Sequence, residues 1–544
     1  MSSPRTIERF ARAALLIAAL TILARLAGFG RNVVFARTVG QTCLGQTYQT
    51  VNTIPNIVFE IVAGGALASV VVPLLSGAIS RGDREHTART ASALLTWAVA
   101  VLTPMAIVIA LLARPITEIL LDSKCVGAID AGARMLRIFA PQIVLYGIGV
   151  VMTGILQAHR KFGGPAFAPL CSSLVVVAAY VVFAISAGRG ASLQSASPAQ
   201  QLILSVGTTL GVVALSISLV LPTLRLRLRL RPTFRFPSGV AKRARAMALS
   251  GVVGLLAQQA AVLVALILTN RPGVPVASIN VFVYAQTIYL LPWAIIAVPI
   301  ATSVYPRLAE DAEAGDMAQF AQRYRSSVST IITLSAIAAA ALIAASREIA
   351  YVYVHASPGE PSVQSLGQGI AGFSAGLVGY SIFAIGSRAL FALGDAKGNA
   401  LVATLGWAVV IIFSFGLATL FADDLRVAAL SISNAIGVTV LGVALLMIIG
   451  VRSGTSSGAL VATALGVALL SAAVGWGIGE IPLPASIALS NDSGLLHGLL
   501  VGCLRGLVAA GVVGAVLIAM PHSPLRRWVS RGPTEKRKEH VNGI

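Results

Sequence analysis

Charge is the scarcest commodity in this 544-residue chain: only 11% of its residues are Asp, Glu, Lys or Arg. Acidic residues are scarcer still, 20 against 40 basic ones, which leaves a formal net charge of +20. Soluble domains carry ~25% charged residues, so a water-soluble globule is excluded. Cysteine is nearly absent as well. Cys43, Cys125, Cys171 and Cys503 form no CxxC pair and cannot make a disulfide framework. Cys43 and Cys125 both fall in expected outer loops, so a single bridge between them is open. The six histidines have no metal-ligand spacing. No Walker loop, GxGxxG turn, paired intramembrane carboxylates or Ser/His/Asp set is present. These absences argue against an enzyme and against a bound cofactor or metal.

What is abundant is apolar: 56% of residues are hydrophobic, and the mean hydropathy is +0.86. A helix needs ~20 apolar residues to cross a bilayer. Fourteen candidate spans can be read: 11–36, 47–79, 90–113, 132–157, 165–187, 201–222, 246–270, 279–305, 327–346, 367–392, 399–421, 427–450, 457–479 and 495–520. The runs are continuous and lack a period of two, so the fold class is all-α and polytopic, and no β-barrel. The first run is too long for a cleavable signal and carries Arg25.

With the N-terminus placed in the cytoplasm, 27 of the 40 cations fall in inner loops and tails and 9 in outer loops, and Arg25, Arg31, Arg388 and Arg505 lie inside spans. That bias follows the positive-inside rule and puts both termini in the cytoplasm. It also accounts for the basicity without nucleic acid. The richest basic stretch, Arg225 to Arg245, reads as a linker on an anionic leaflet, with a specific head-group site as the alternative. The segment Leu308 to Arg325 is expected to be a surface helix leading into span 9.

A shift of 233 residues superposes Arg12 on Arg245, Ala24-Arg25 on Ala257-Gln258, Ala68-Ser69 on Ala301-Thr302, and Pro73 on Pro306. The expected organisation is an N-lobe at 1–222, a basic linker at 223–242 and a C-lobe at 243–450. Two extra helices follow at 451–521, and then a basic tail at 522–544. Transporters commonly bind their substrate between such repeats.

Ionisable residues inside a membrane are costly and mark sites. Arg25 and Arg31 in span 1 lie about 9 Å apart along an ideal helix and ~120° apart around it. Gly28 and Gly30 between them could bend the helix toward one cavity. In span 2, Gln49, Asn52, Asn56, Glu60 and Gly64 recur at steps of 3, 4, 4 and 4, which makes one stripe. A lone buried carboxylate should be paired or neutral, and Arg25 or Arg31 is the expected partner of Glu60. The alternative is a purely structural interhelical pair. Gln258 and Gln259 in span 7 are possible cavity-lining residues, though helix–helix hydrogen bonding would also explain them. Pro292, Pro299 and Pro306 should bend span 8.

The segments ARLAGFGRNVVFARTVG and NTIPNIVFEIVAGGALASVVVPLL, with HRKFGGPAFAPL and SRALFALGDAKGNA further on, resemble the MurJ (MviN) lipid II flippase family of the multidrug/oligosaccharidyl-lipid/polysaccharide exporter superfamily. The NIVFE segment is similar to the actinobacterial version of that family. The resemblance implies movement of an undecaprenyl-diphosphate-linked muropeptide, lipid II, from the inner to the outer leaflet by alternating access, for cell wall biosynthesis. It also implies a cell-membrane location, lipid II as partner, and other wall-synthesis proteins nearby. Arg25 and Arg31 match family cavity arginines by position and so take the diphosphate, with Asn52, Asn56 and Glu60 beside them. The chain departs from the family pattern in three places. Phe59 and Glu60 stand where an arginine often follows Pro-Asn, Gln46 replaces an acidic residue, and Ala285-Gln286-Thr287 replaces Ala-Asp-Arg. The alternatives are another exporter of the superfamily, moving drugs or another lipid-linked glycan, and a non-transporting scaffold of the wall-synthesis complex.

Overall fold

Unbroken apolar runs with no β-alternation can satisfy their backbone in a bilayer only as helices, and the structure, a computed structural model, is a set of helices joined by connecting segments. The described residues are 4–62, 68–121, 124–237, 240–355, 357–359, 362–482, 484 and 494–519. Side chains of 4–18, 68–70 and 241–251 are not among those described. Gly64, the tail at 522–544, and the side chains of Arg5, Arg9, Arg12, Lys242, Arg243 and Arg245 therefore lie outside the description.

The order is α1 (Pro4–Thr38), α2 (Cys43–Phe59), α3 (Ala68–Ser80), α4 (Arg84–Leu111), α5 (Ala113–Leu120), α6 (Ala128–Phe139), α7 (Gln142–Ala158), α8 (Gly163–Ala187), α9 (Pro198–Leu224) and α10 (Val240–Thr269). Then come α11 (Ser278–Pro292), α12 (Val298–Glu313), α13 (Met317–Ala344), α14 (Ser346–Val354), α15 (Val363–Ala375), α16 (Leu377–Ala392), α17 (Ala396–Leu420), α18 (Arg426–Arg452), α19 (Gly458–Glu480) and α20 (Leu495–Ala519). Among the described residues, twelve helices are long and apolar enough to cross a membrane, and α15 with α16 makes a thirteenth, bent by 43°. The count thus falls one short of the fourteen expected. The missing candidate, 47–79, is represented by α2 and α3, with residues 63–67 between them outside the description.

The chain divides into two compact units, one of residues 1–280 with 356–361, the other of 281–355 with 362–544. In the first unit, Tyr48 on α2 is a packing hub. Its hydroxyl shares hydrogen bonds with Tyr180 on α8 (2.8 Å) and Thr208 on α9 (2.6 Å), and its ring meets Phe35 and Phe139. A disulfide joins Cys43, the first residue of α2, to Cys125 in the α5–α6 turn. Beside it, the buried Gln46 amide donates to Asn270 Oδ1 (2.8 Å) and accepts from the Ala277 N–H (2.7 Å). An amide suits that place because it can donate and accept at once.

In the second unit, only Pro292 of the three span-8 prolines stands at a break, and Pro299 and Pro306 lie within α12. α11 ends at Pro292, and a π-helical turn, Trp293–Ala297, carries the chain into α12. Residues 308–325 do not form the separate surface helix expected of them. They continue α12 and begin α13, reversing at Gly315 (φ 72°), with Asp316 capping α13 and Asp311 paired to Arg323 at 2.7 Å. Gly315 supplies the left-handed residue that a tight reversal needs. Arg505, whose surroundings were open from sequence, lies on α20 beside Glu348 of α14 at 3.4 Å. It also donates to the carbonyls of Gly479 and Ile481.

Candidate functional site

Long α1 carries both span-1 arginines. Arg25 is exposed in the isolated chain, and Arg31, six residues on, is half-buried. On α2, Thr42 caps the N-terminus through its side chain, and the stripe residues Gln49, Asn52 and Asn56 are half-buried. The Asn56 amide donates to the Asn52 carbonyl (2.9 Å), binding the stripe together one turn apart. Glu60 follows, exposed, and residues 60–62 wind as a π turn, so the helix changes pitch at the carboxylate.

The residue that gathers this set is one the sequence reading passed over. Tyr146 on α7 donates its hydroxyl to Asn56 Oδ1 (3.3 Å), and its ring packs on Phe59 with centroids 4.4 Å apart. Asn56, Phe59 and Tyr146 therefore form one local group between α2 and α7, with Glu60 the next residue along α2. The sequence signal of Tyr146 was faint: a single tyrosine in the fourth span, with nothing to say which helix it met.

Other expectations fare differently. The pairing of Glu60 with Arg25 or Arg31 is not made. Among the described residues, none of the three enters an ion pair or a side-chain hydrogen bond. Arg25 lies six residues before Arg31 on α1, ~120° away around an ideal helix. Gln259 is buried on α10 and Gln258 half-buried. Arg388 bonds its own helix at the Ala384 carbonyl (2.6 Å) and reaches Thr302 (3.3 Å).

A guanidinium keeps its charge at any accessible pH and binds phosphate oxygens through a rigid fork. An unneutralised guanidinium at membrane depth can hold an anionic head group and can exchange it for a carboxylate. It has no nucleophile or general base arranged for bond-breaking.

Solved structures share this helical, many-span fold. One described as "Lipid II flippase MurJ, inward closed conformation" superposes with a TM-score of 0.69 at 18% identity, covering 93% of this chain and all of that one. An inward-facing multidrug resistance MATE family transporter of the MOP superfamily follows at 0.62 and 13%, covering 81% of this chain and 98% of its own.

Sequence comparison is more particular. The family described as "Lipid II flippase MurJ" matches residues 35–483, so this chain belongs to it. The probable lipid II flippase MurJ of Rhizobium meliloti is 24% identical over 96% of both chains. The lipid II flippase MurJ of Burkholderia cenocepacia is 30% identical over 32% of this chain and 34% of its own length.

Proposed function

We propose that this chain carries lipid II across the cytoplasmic membrane by alternating access, delivering the peptidoglycan precursor to the outer leaflet for cell wall synthesis. The observations that support the reading are the family match over residues 35–483 and Arg31 on α1, which has no ion-pair partner among the described residues. The diphosphate of the lipid supplies the anion, and Arg25 and Arg31 supply the fixed cations. Asn52 and Asn56 add donors, and Gln49, Gln258 and Gln259 line the path. Glu60 is the internal competitor. When the lipid leaves, the carboxylate can take a guanidinium in its place, giving the two states different affinities, as any ligand-driven switch requires. The lobes 1–222 and 243–450 are the moving bodies, with 451–521 flanking the lipid tail. Both termini face the cytoplasm, where the basic loops meet anionic phospholipid, and other wall-synthesis proteins are the natural neighbours.

Depletion of the protein should cause lipid II to accumulate on the inner leaflet, and the unmodified chain should clear it. Arg31→Ala and Arg25→Ala should fail to do so at normal membrane abundance. Full rescue by both alanine variants would sink the assignment. Loss of a different envelope polymer with intact peptidoglycan would instead point to another exporter of the same fold.

A further inference from the structure

The segment after α9 was expected to be a linker, and its sequence, LRLRLRLRPTFRF, alternates with period two. The structure shows a fixed strut rather than a tether. Leu226, Leu228, Leu230 and Phe236 pack onto a core of Val71, Leu74, Leu75, Leu94, Val151 and Ile155. The backbone is bonded along α4 at three successive points. The N–H of Arg231 donates to Ser92 Oγ (3.0 Å), that of Thr233 donates to Thr96 Oγ1 (3.0 Å), and Trp97 Nε1 donates to the Phe234 carbonyl (3.1 Å). Arg225, Arg227, Arg229, Arg231 and Arg235 are all exposed, while Leu226, Leu228 and Leu230 between them are half-buried. Among the described residues, none of these five guanidiniums has a hydrogen-bond or ion-pair partner.

Two further observations pick out the partner. Trp97 and Phe234 meet edge-to-face at 5.5 Å and remain 45% and 58% exposed, and Phe234 belongs to the same segment as the arginines. Aromatics beside cations mark the level where lipid head groups meet hydrocarbon; a soluble polyanion would give the aromatics nothing to enter. Second, a cavity of about 520 Å³ is lined by Ser76, Ser80 and Arg160, and its Ile79 and Ala158 pack on the same core as the leucines. Arg160 and Arg227 are held at φ 58° and 54°, a left-handed backbone that L-residues other than Asn and Asp rarely adopt. Conformations of that kind persist where the surrounding structure over-determines them, often at ligand clamps.

We propose that residues 225–235, with Arg160 and its cavity, form a built docking site for the phosphates of acidic glycerophospholipids in the leaflet this loop faces. The site is distinct from Arg31 and from the Tyr146 group. It rests on the membrane reading and on the cytoplasmic placement of the loop, and not on which substrate is carried.

Trp97 gives a direct readout. In the full-length chain with Trp293, Trp407, Trp476 and Trp528 replaced by Phe, reconstituted in phosphatidylcholine bilayers, brominated phosphatidylglycerol should quench Trp97 severalfold more than brominated phosphatidylcholine. Each arginine contributes up to about fivefold to that preference at low salt. Replacing Arg225, Arg227, Arg229 and Arg231 by Gln should abolish it while phosphatidylcholine still quenches. Should that variant fail to fold, raised salt on the arginine-intact chain carries the test, because screening should erase the preference. Equal quenching by the two lipids, or a preference indifferent to salt, would overturn the site. Displacement of the preference by soluble glycerol phosphate would overturn the lipid assignment. Transport is not measured, so failure of the flippase reading leaves this result standing, and the reverse holds too.

Discussion

At the scale of single residues, the pair Glu348–Arg505 shows how this chain tolerates charge where water is scarce. Glu348 is 3% exposed and the Arg505 side chain 11%, and the guanidinium also serves two helix-end carbonyls. Removing one member of a buried pair costs about 3–5 kcal/mol, because the survivor is left uncompensated. Glu348→Ala should therefore lower the unfolding temperature of the purified protein sharply, and the double replacement Glu348→Leu with Arg505→Leu should recover much of the loss. An equal deficit in the single and double variants would show that the ion pair is not the reason. Arg31 behaves in the opposite way. It has no partner to lose, so Arg31→Ala should leave thermal stability nearly unchanged while abolishing lipid II clearance. Arg227→Gly separates two effects at one position. Relief of the left-handed backbone should stabilise the fold by about 1 kcal/mol, and the lost charge should weaken lipid preference at Trp97.

At the scale of elements, the broken helices are the informative ones. α2 passes Pro55 and enters a π turn at Glu60, and α11 ends at Pro292 before its own π turn. Both changes of pitch were foreshadowed by proline. The stripe at Gln49, Asn52, Asn56 and Glu60 was legible because helical periodicity needs only local spacing. Tyr146 was not, because its importance comes from α7 packing beside α2, a contact far apart in sequence. The Arg505–Glu348 pair was hidden for the same reason, since its members stand 157 residues apart on α20 and α14. The linker offers the reverse lesson. Its charge was legible as a linker on an anionic leaflet, whereas the packing of its half-buried leucines on the core was not. Thr96→Val and Ser92→Ala together should loosen that strut by removing two acceptors of buried N–H groups. Faster amide exchange at Arg231 and Thr233 would show this, with little change elsewhere.

At the scale of the whole molecule, the bridge between Cys43 and Cys125 is a staple across a separation of 82 residues. Cys43→Ser should cost on the order of 2–4 kcal/mol of stability. Disulfides persist on the oxidising side of a membrane, so an impermeant reductant followed by an impermeant maleimide should label both cysteines on intact cells. Labelling only after permeabilisation would reverse the orientation assigned from the arginines. The same bond constrains the count of crossings. Two cysteines that meet must lie on one side, so the chain between them passes through the bilayer an even number of times. α4 is one passage and α5, at 8 residues, is too short to be another. The stretch of α2 and α3 must then supply the second, although neither helix alone reaches spanning length. Parity thus asks α2 and α3 to share one passage, which helix length alone leaves out among the described residues.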